Sequence, residues 1–196
     1  PLWFVHSLLG AGLMSAGVYF LHARRKAHPI LELRLLKIQS FTAATIGGFF
    51  TRLKIGATPF LLALLLQVGF GMSAFAAGWL IFASAVGALT MRTTATRIFT
   101  PFGFRNVLIV NGVLETITFM AIAVFFRPDT PTWIMAGALV VQGYLRALQL
   151  TGLNALAYAE LDDKQMAPAS TFSSVVQMLA QAIGVGGSAA ILHAFQ

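Results

Sequence analysis

The sequence predicts an all-α protein, a polytopic bundle of transmembrane helices with six spans, and three observations predict it. Hydrophobic residues make up 58% of the chain and charged residues only 10%, with a mean hydropathy of +0.81; soluble domains carry about a quarter charged residues. Residues 55 to 91 form a run of 37 positions without Asp, Glu, Lys, Arg or His. At about 1.5 Å per residue that run exceeds a bilayer core of roughly 30 Å, so it must turn back once. Lastly, runs such as Leu61 to Leu66 (LLALLL) lack the alternation of a membrane β-barrel strand, and helices are the other structure that satisfies its own backbone in lipid.

The spans follow in order. Residues 1 to 22 form the first apolar run and end at the basic stretch Arg24, Arg25 and Lys26. Residues 29 to 38 (PILELRLLKI) mix Leu and Ile with Glu32, Arg34 and Lys37; the segment is too charged and too short to cross, and reads as an interfacial lead-in. The second span covers 39 to 67 and the third 74 to 91, with Gly69-Phe70-Gly71-Met72-Ser73 as the turn between them. Further apolar runs at 106 to 126, 132 to 155 and 168 to 194 complete the six.

Basic residues give the orientation. Arg24, Arg25, Lys26, Arg34 and Lys37 follow the first span; Arg92, Arg97 and Arg105 follow the third; Lys164 follows the fifth. Those loops share one side, expected to be the cytoplasm, whereas the opposite side has only Arg127. The net charge of +7 is therefore a membrane signature, and no single polar basic face exists for nucleic acid. With no Cys, disulfides and thiolate metal sites are excluded. A chain opening on Pro1 is expected to be a fragment of a longer translation product.

The candidate functional residues are the ionisable groups inside spans: Arg52 with Lys54, Glu115, and Arg146. A charge at a span's centre costs about 2.5 to 3.5 kcal/mol on insertion scales, against about 0.3 to 0.6 returned by a Leu or Phe. Such helices need protein neighbours or a wet cavity. Arg52 and Lys54 stand about 200° apart on a regular helix, so sharing one cavity requires a bend, for which Gly47, Gly48, Gly56 and Pro59 are placed; otherwise Arg52 is a buried ion-pair member and Lys54 snorkels. Asn111 and Thr118 flank Glu115 at i−4 and i+3, and Gln142 and Gln149 flank Arg146 in the same way. Glu115 and Arg146 lie at similar depths, so Glu115 is expected to pair with Arg146 or with Arg52. Such a pair either fixes helix packing or changes protonation as a pathway opens.

Several stretches carry a resemblance: HPILELRLLKIQSFT, LLLQVGFGMSAFAAGWLIF, MRTTATRIFTPFGFRNVL, QGYLRALQLTGLNALAYAEL and SSVVQMLAQAIGVGG. The chain resembles the major facilitator superfamily, most closely its fourteen-helix drug:proton antiporters. The resemblance implies that 1-28 are a linker transmembrane helix with its basic cytoplasmic loop, and that 29-196 hold five helices of an incomplete C-terminal transporter bundle. The final helix and the N-terminal half are then missing partners of the same chain. Gly87, Arg97, Gly103 and Arg105 are similar to the second-half copy of the family's cytoplasmic gating-loop signature, with Thr96 where an acid is expected. It further implies secondary active transport in the plasma membrane of a bacterium, surrounded by lipid: proton-coupled efflux of drugs or other amphipathic small molecules by alternating access. No cofactor is implied.

The alternative is an integral membrane enzyme such as a prenyltransferase-like protein. Glu160, Asp162 and Asp163 are the clustered acids, without the second acidic site that magnesium-bound diphosphate needs. His6, His22, His28 and His193 lack metal-ligand spacing. Gly152, Gly184, Gly186 and Gly187 suit close helix contacts, and Phe49, Phe50, Phe60 and Tyr144 suit an apolar or cationic ligand.

Overall fold

The computed structural model describes residues 10, 12, 14, 15 and 17 and residues 32–194. The first expected span lies largely outside them. The described residues hold helices and no strand. A 3-10 turn, Leu33–Lys37, leads in from the expected interfacial segment. Helix α1 is Gln39–Leu64, continued by a π-helical turn, Leu65–Gly69. Helix α2 is Ala74–Phe125, α3 is Thr132–Tyr158 and α4 is Asp163–Ala194.

The reversal expected at Gly69 to Ser73 is present, with Gly71 at φ 66 and Ser73 capping α2 by accepting from the Ala76 N–H. Helix α2 has 52 residues, far more than one crossing uses, and it folds back on itself at Gly103. There φ is 70 and ψ is 156, a region that only glycine adopts without strain. The bend divides α2 into an inner arm over 74–102 and an outer arm over 104–125, which overlap the expected third and fourth spans. One boundary differs. The polar stretch after residue 91 is helical where a loop was expected, because no helix breaker occurs before Pro101. Its threonines fold their hydroxyls back onto the helix: Thr90 donates to the Val86 carbonyl, Thr93 to Thr90, and Thr100 to Thr96.

Among the described residues, three segments are long and apolar enough to cross a membrane: Gln39–Gly69, Ala74–Phe125 and Asp163–Leu192. Helix α3 is long enough, but Gln142, Arg146 and Gln149 lower its hydropathy. The chain is thus a multi-pass membrane bundle of helices.

The elements alternate in direction. One end is closed by Leu35, Phe41, Ala44, Ala157, Leu161 and Phe172, joining the starts of α1 and α4 to the end of α3. The other end is closed by Leu62, Leu66, Leu80, Ile122, Phe126 and Met135. Arg34, Lys37 and Lys164 fall at the first end and Arg127 at the second, in line with the basic bias read from the sequence. Helix α2 packs chiefly on α3, and α1 on α4 and then α3. Glycines set both tight crossings. Gly87 lies against the Val140 carbonyl and Gly143 against that of Ser84; Gly56 and Gly184 meet the backbone at Gln181 and Leu53. A Cβ at any of the four would overlap main-chain atoms. Gly152, pressed by Leu108 and Phe99, is similarly confined, whereas a Cβ at Gly186 or Gly187 would meet open space among the described residues.

Candidate functional site

The intramembrane charges are divided between two faces of α1. The helix runs without interruption through Arg52 and Lys54, so it is not broken at this pair. Pro59 is accommodated inside the helix, and the irregular turn comes later, at Leu65–Gly69. The geometry of a regular helix then sends the two side chains to different partners.

Lys54 faces the outer arm of α2. Its Nζ lies 2.6 Å from Oε1 of Glu115, and 5.8 Å from the centre of the Phe119 ring. The Lys54 side chain is 23% exposed and that of Glu115 is 3% exposed. Glu115 therefore pairs with Lys54, which corrects the expected pairing with Arg146 or Arg52. The reason lies in rotation. The face of α2 that carries Glu115 is turned to α1 at that level, and Lys54, two positions beyond Arg52, is the residue on that side. Lys54 does not snorkel to an interface.

Arg52 points between α3 and α4 and is buried, 5% exposed. Its Nη2 donates to Asn154 Oδ1 at 2.9 Å and its Nε to Gln177 Oε1 at 3.4 Å. The guanidinium folds back over Gly48, where a Cβ would overlap Nη1. Asn154 and Gln177 were not singled out from the sequence. The signal was an amide in an otherwise apolar run, which carries the same demand for a partner as a charge does.

The two polar stripes meet one step away from the expected place. Asn111 Nδ2 donates to Gln149 Oε1 at 2.8 Å and to the Leu145 carbonyl at 2.9 Å, which joins α2 to α3. Arg146, on the same turn of α3, is half-buried and forms no ion pair among the described residues. Gln142 is buried, and its Nε2 has no hydrogen-bond partner among the described residues; the same holds for Asn111 Oδ1. A cavity of about 200 Å³ is lined by Thr58, Leu61, Phe119 and Gln142; of these, Thr58 donates to the Lys54 carbonyl and Phe119 lies under the Lys54 ammonium. A second of about 420 Å³, lined by Phe102, Val110, Asn111 and Tyr144, lies between α2 and α3. The Tyr144 hydroxyl is bonded to Thr94 Oγ1 at 2.6 Å, so Tyr144 presents its ring to this groove.

The expected gating residues separate. Gly103 makes the bend, with Arg97 and Arg105 exposed on either side of it. Gly87 is buried in the α2–α3 crossing and belongs to packing, not to the bend. Phe50 is exposed, whereas Phe49 and Phe60 are half-buried. Glu160 accepts a hydrogen bond from the Ser40 hydroxyl at 2.9 Å, tying α1 to the end of α3.

No protein-family model matches the chain, and no solved structure matches it. Curated proteins do. A protein of Haemophilus influenzae named "Probable transport protein HsrA" is 29% identical over 97% of this chain and 41% of its own length. One from Salmonella heidelberg named "Putative multidrug resistance protein MdtD" is 26% identical over 98% of the chain and 41% of its own length. The MdtD of Serratia proteamaculans is 28% identical over 94% of the chain and 40% of its own length. The chain spans about two fifths of the length of these relatives, and over that stretch it is similar to bacterial proteins named for transport and multidrug resistance.

Proposed function

We propose that the chain is part of a secondary active transporter of the bacterial inner membrane, built as the major facilitator antiporters are. It exports amphipathic small molecules against protons by alternating access of a midplane site. The likeness to HsrA and MdtD proteins over nearly the whole chain supports transport. The observation that carries the mechanism is the Lys54–Glu115 pair, a carboxylate 3% exposed held by a single ammonium in the middle of apolar helices. Only functional need or tight packing keeps such charges inside a membrane.

Glu115 is the proton acceptor in this reading. While ionised it holds Lys54 and so clamps α1 to the outer arm of α2. Protonation removes the charge that Lys54 answers, and the contact between the two helices loosens. Arg52 and Arg146, with Gln142, Gln149 and Asn111, then border the pathway. Arg97 and Arg105, beside the bend at Gly103, anchor the cytoplasmic end to the anionic membrane surface.

The test is gradient-driven flux in vesicles holding the full-length protein. Glu115→Gln is expected to abolish proton-coupled transport while the protein still inserts. Unchanged coupled transport in that variant refutes Glu115 as the proton acceptor.

A further inference from the structure

Six acidic side chains occur in the sequence: Glu32, Glu115, Asp129, Glu160, Asp162 and Asp163. All six are among the described residues. Glu115 is joined to Lys54 and Glu160 receives the Ser40 hydroxyl. Glu32 precedes the 3-10 turn, Asp129 lies in the connection between α2 and α3, and Asp162 and Asp163 stand at the start of α4. None forms an ion pair with Arg52. Of the three cations expected near span centres, Arg52, Lys54 and Arg146, only Lys54 has a carboxylate, Glu115, as its partner among the described residues.

Arg52 differs from Lys54 in how it is held. Lys54 is answered by a carboxylate, Glu115, at 2.6 Å. Around Arg52 the chain supplies neutral amides, Asn154 Oδ1 and Gln177 Oε1. These two acceptors fix the plane of the guanidinium without cancelling its charge. A guanidinium has five N–H donors, and Nη1, lying over Gly48, has no partner among the described residues. A glycine at 48 is what allows the head group that position. The result is an oriented, charged fork in an apolar setting, the arrangement that recognises a planar anion through paired N–H···O bonds.

We propose that Arg52, held by Asn154 and Gln177, is a carboxylate-binding site, and that the molecule carried is an organic acid instead of an organic cation. This rests on the transport reading for the word "carried", while the binding site stands on geometry alone. The acid's carboxylate meets Nη1, the guanidinium nitrogen without a partner among the described residues, and its apolar body lies along the hydrophobic helices. A hydrophobic cation would meet repulsion from Arg52 and Arg146, and among the described residues no carboxylate lies beside either of them.

The experiment uses the full-length protein in detergent with naphthoate, naphthamide and naphthylmethylammonium, which share one apolar body and differ in charge. Naphthoate is expected to bind about tenfold or more tightly than naphthamide, because a charge-assisted pair replaces a neutral contact. Arg52→Gln should erase that preference, and Arg52→Lys should keep part of it by retaining the charge without the fork. Equal binding of the acid and the amide, preference for the ammonium, or a preference for naphthoate that survives Arg52→Gln overturns the site. The wild-type comparison needs no variant to fold. Flux in energised vesicles separates the two readings. Arg52-dependent naphthoate binding without gradient-driven movement of any compound leaves the site standing and removes transport. Movement of cations and neutral compounds, with no acid bound, does the reverse.

Discussion

Removing one partner of the Lys54–Glu115 pair should be far more damaging than removing both, and the two single variants should differ in a direction the structure fixes. Glu115 is 3% exposed and Lys54 is 23% exposed. Lys54→Met leaves a buried carboxylate alone, whereas Glu115→Gln leaves an ammonium that already reaches the edge of the bundle and still faces the Phe119 ring at 5.8 Å. Breaking a buried pair from one side costs about 3 to 5 kcal/mol, so Lys54→Met is placed in that range. Glu115→Gln keeps a hydrogen-bonding oxygen near Lys54 and is placed at about 1 to 3 kcal/mol. Replacing both, Lys54→Met with Glu115→Leu, should return to within about 1.5 kcal/mol of the parent, since apolar substitutes of similar volume often match a buried pair. The assay is reversible unfolding of the full-length protein in mixed micelles, with the coupling energy taken from the cycle of Lys54→Met, Glu115→Leu and the two combined. A coupling near zero, or Glu115→Gln costing more than Lys54→Met, would show that the two charges do not depend on each other as argued.

Three further outcomes follow from the backbone and the topology. Gly143→Leu should prevent stable assembly, because even its Cβ would overlap the Ser84 carbonyl, while Gly186→Ala, in open space, should be neutral or stabilising by up to about 1 kcal/mol; folded yield and thermal unfolding distinguish them. Gly103→Ala should cost about 1 to 3 kcal/mol, because φ 70 with ψ 156 suits no side-chain-bearing residue, and the same melts read it. The chain has no Cys, so single Arg97→Cys and Arg127→Cys variants should label with a membrane-impermeant maleimide from opposite sides of the membrane; labelling from the same side contradicts the placement of the two arms of α2.

The helical membrane class and the alternation of spans were legible because they rest on local sums, apolarity over some twenty residues and basic residues between runs. The Gly69–Ser73 reversal was legible for the same reason: a run of 37 uncharged residues must turn, and it held one cluster of turn residues. Pairing was not. Depth along a span can be counted from sequence, and on depth alone Glu115 suited Arg146. Azimuth between helices depends on crossings that are set by Gly87 with Gly143 and Gly56 with Gly184, contacts between residues far apart in the chain. A rotation of α2 by a fraction of a turn gave Asn111 to Gln149 and Glu115 to Lys54. The polar stretch from Arg92 to Thr100 misled for a different reason: its threonines look like loop residues by polarity, yet they bond back to their own helix.

The glycine crossings also decide which parts of this bundle move as units. Backbone seated on backbone cannot slide without steric clash, so α1 with α4, and the inner arm of α2 with α3, behave as two stiff bars. Between the bars runs a contact of another kind, the Arg52–Asn154 hydrogen bond, and the Lys54–Glu115 pair joins the first bar to the outer arm of α2; both are made by long side chains that follow a displacement by turning about their own bonds. Shear of one bar past the other therefore meets its least resistance along that side-chain seam, and a disulfide engineered across it should arrest the protein where one placed within either bar would not.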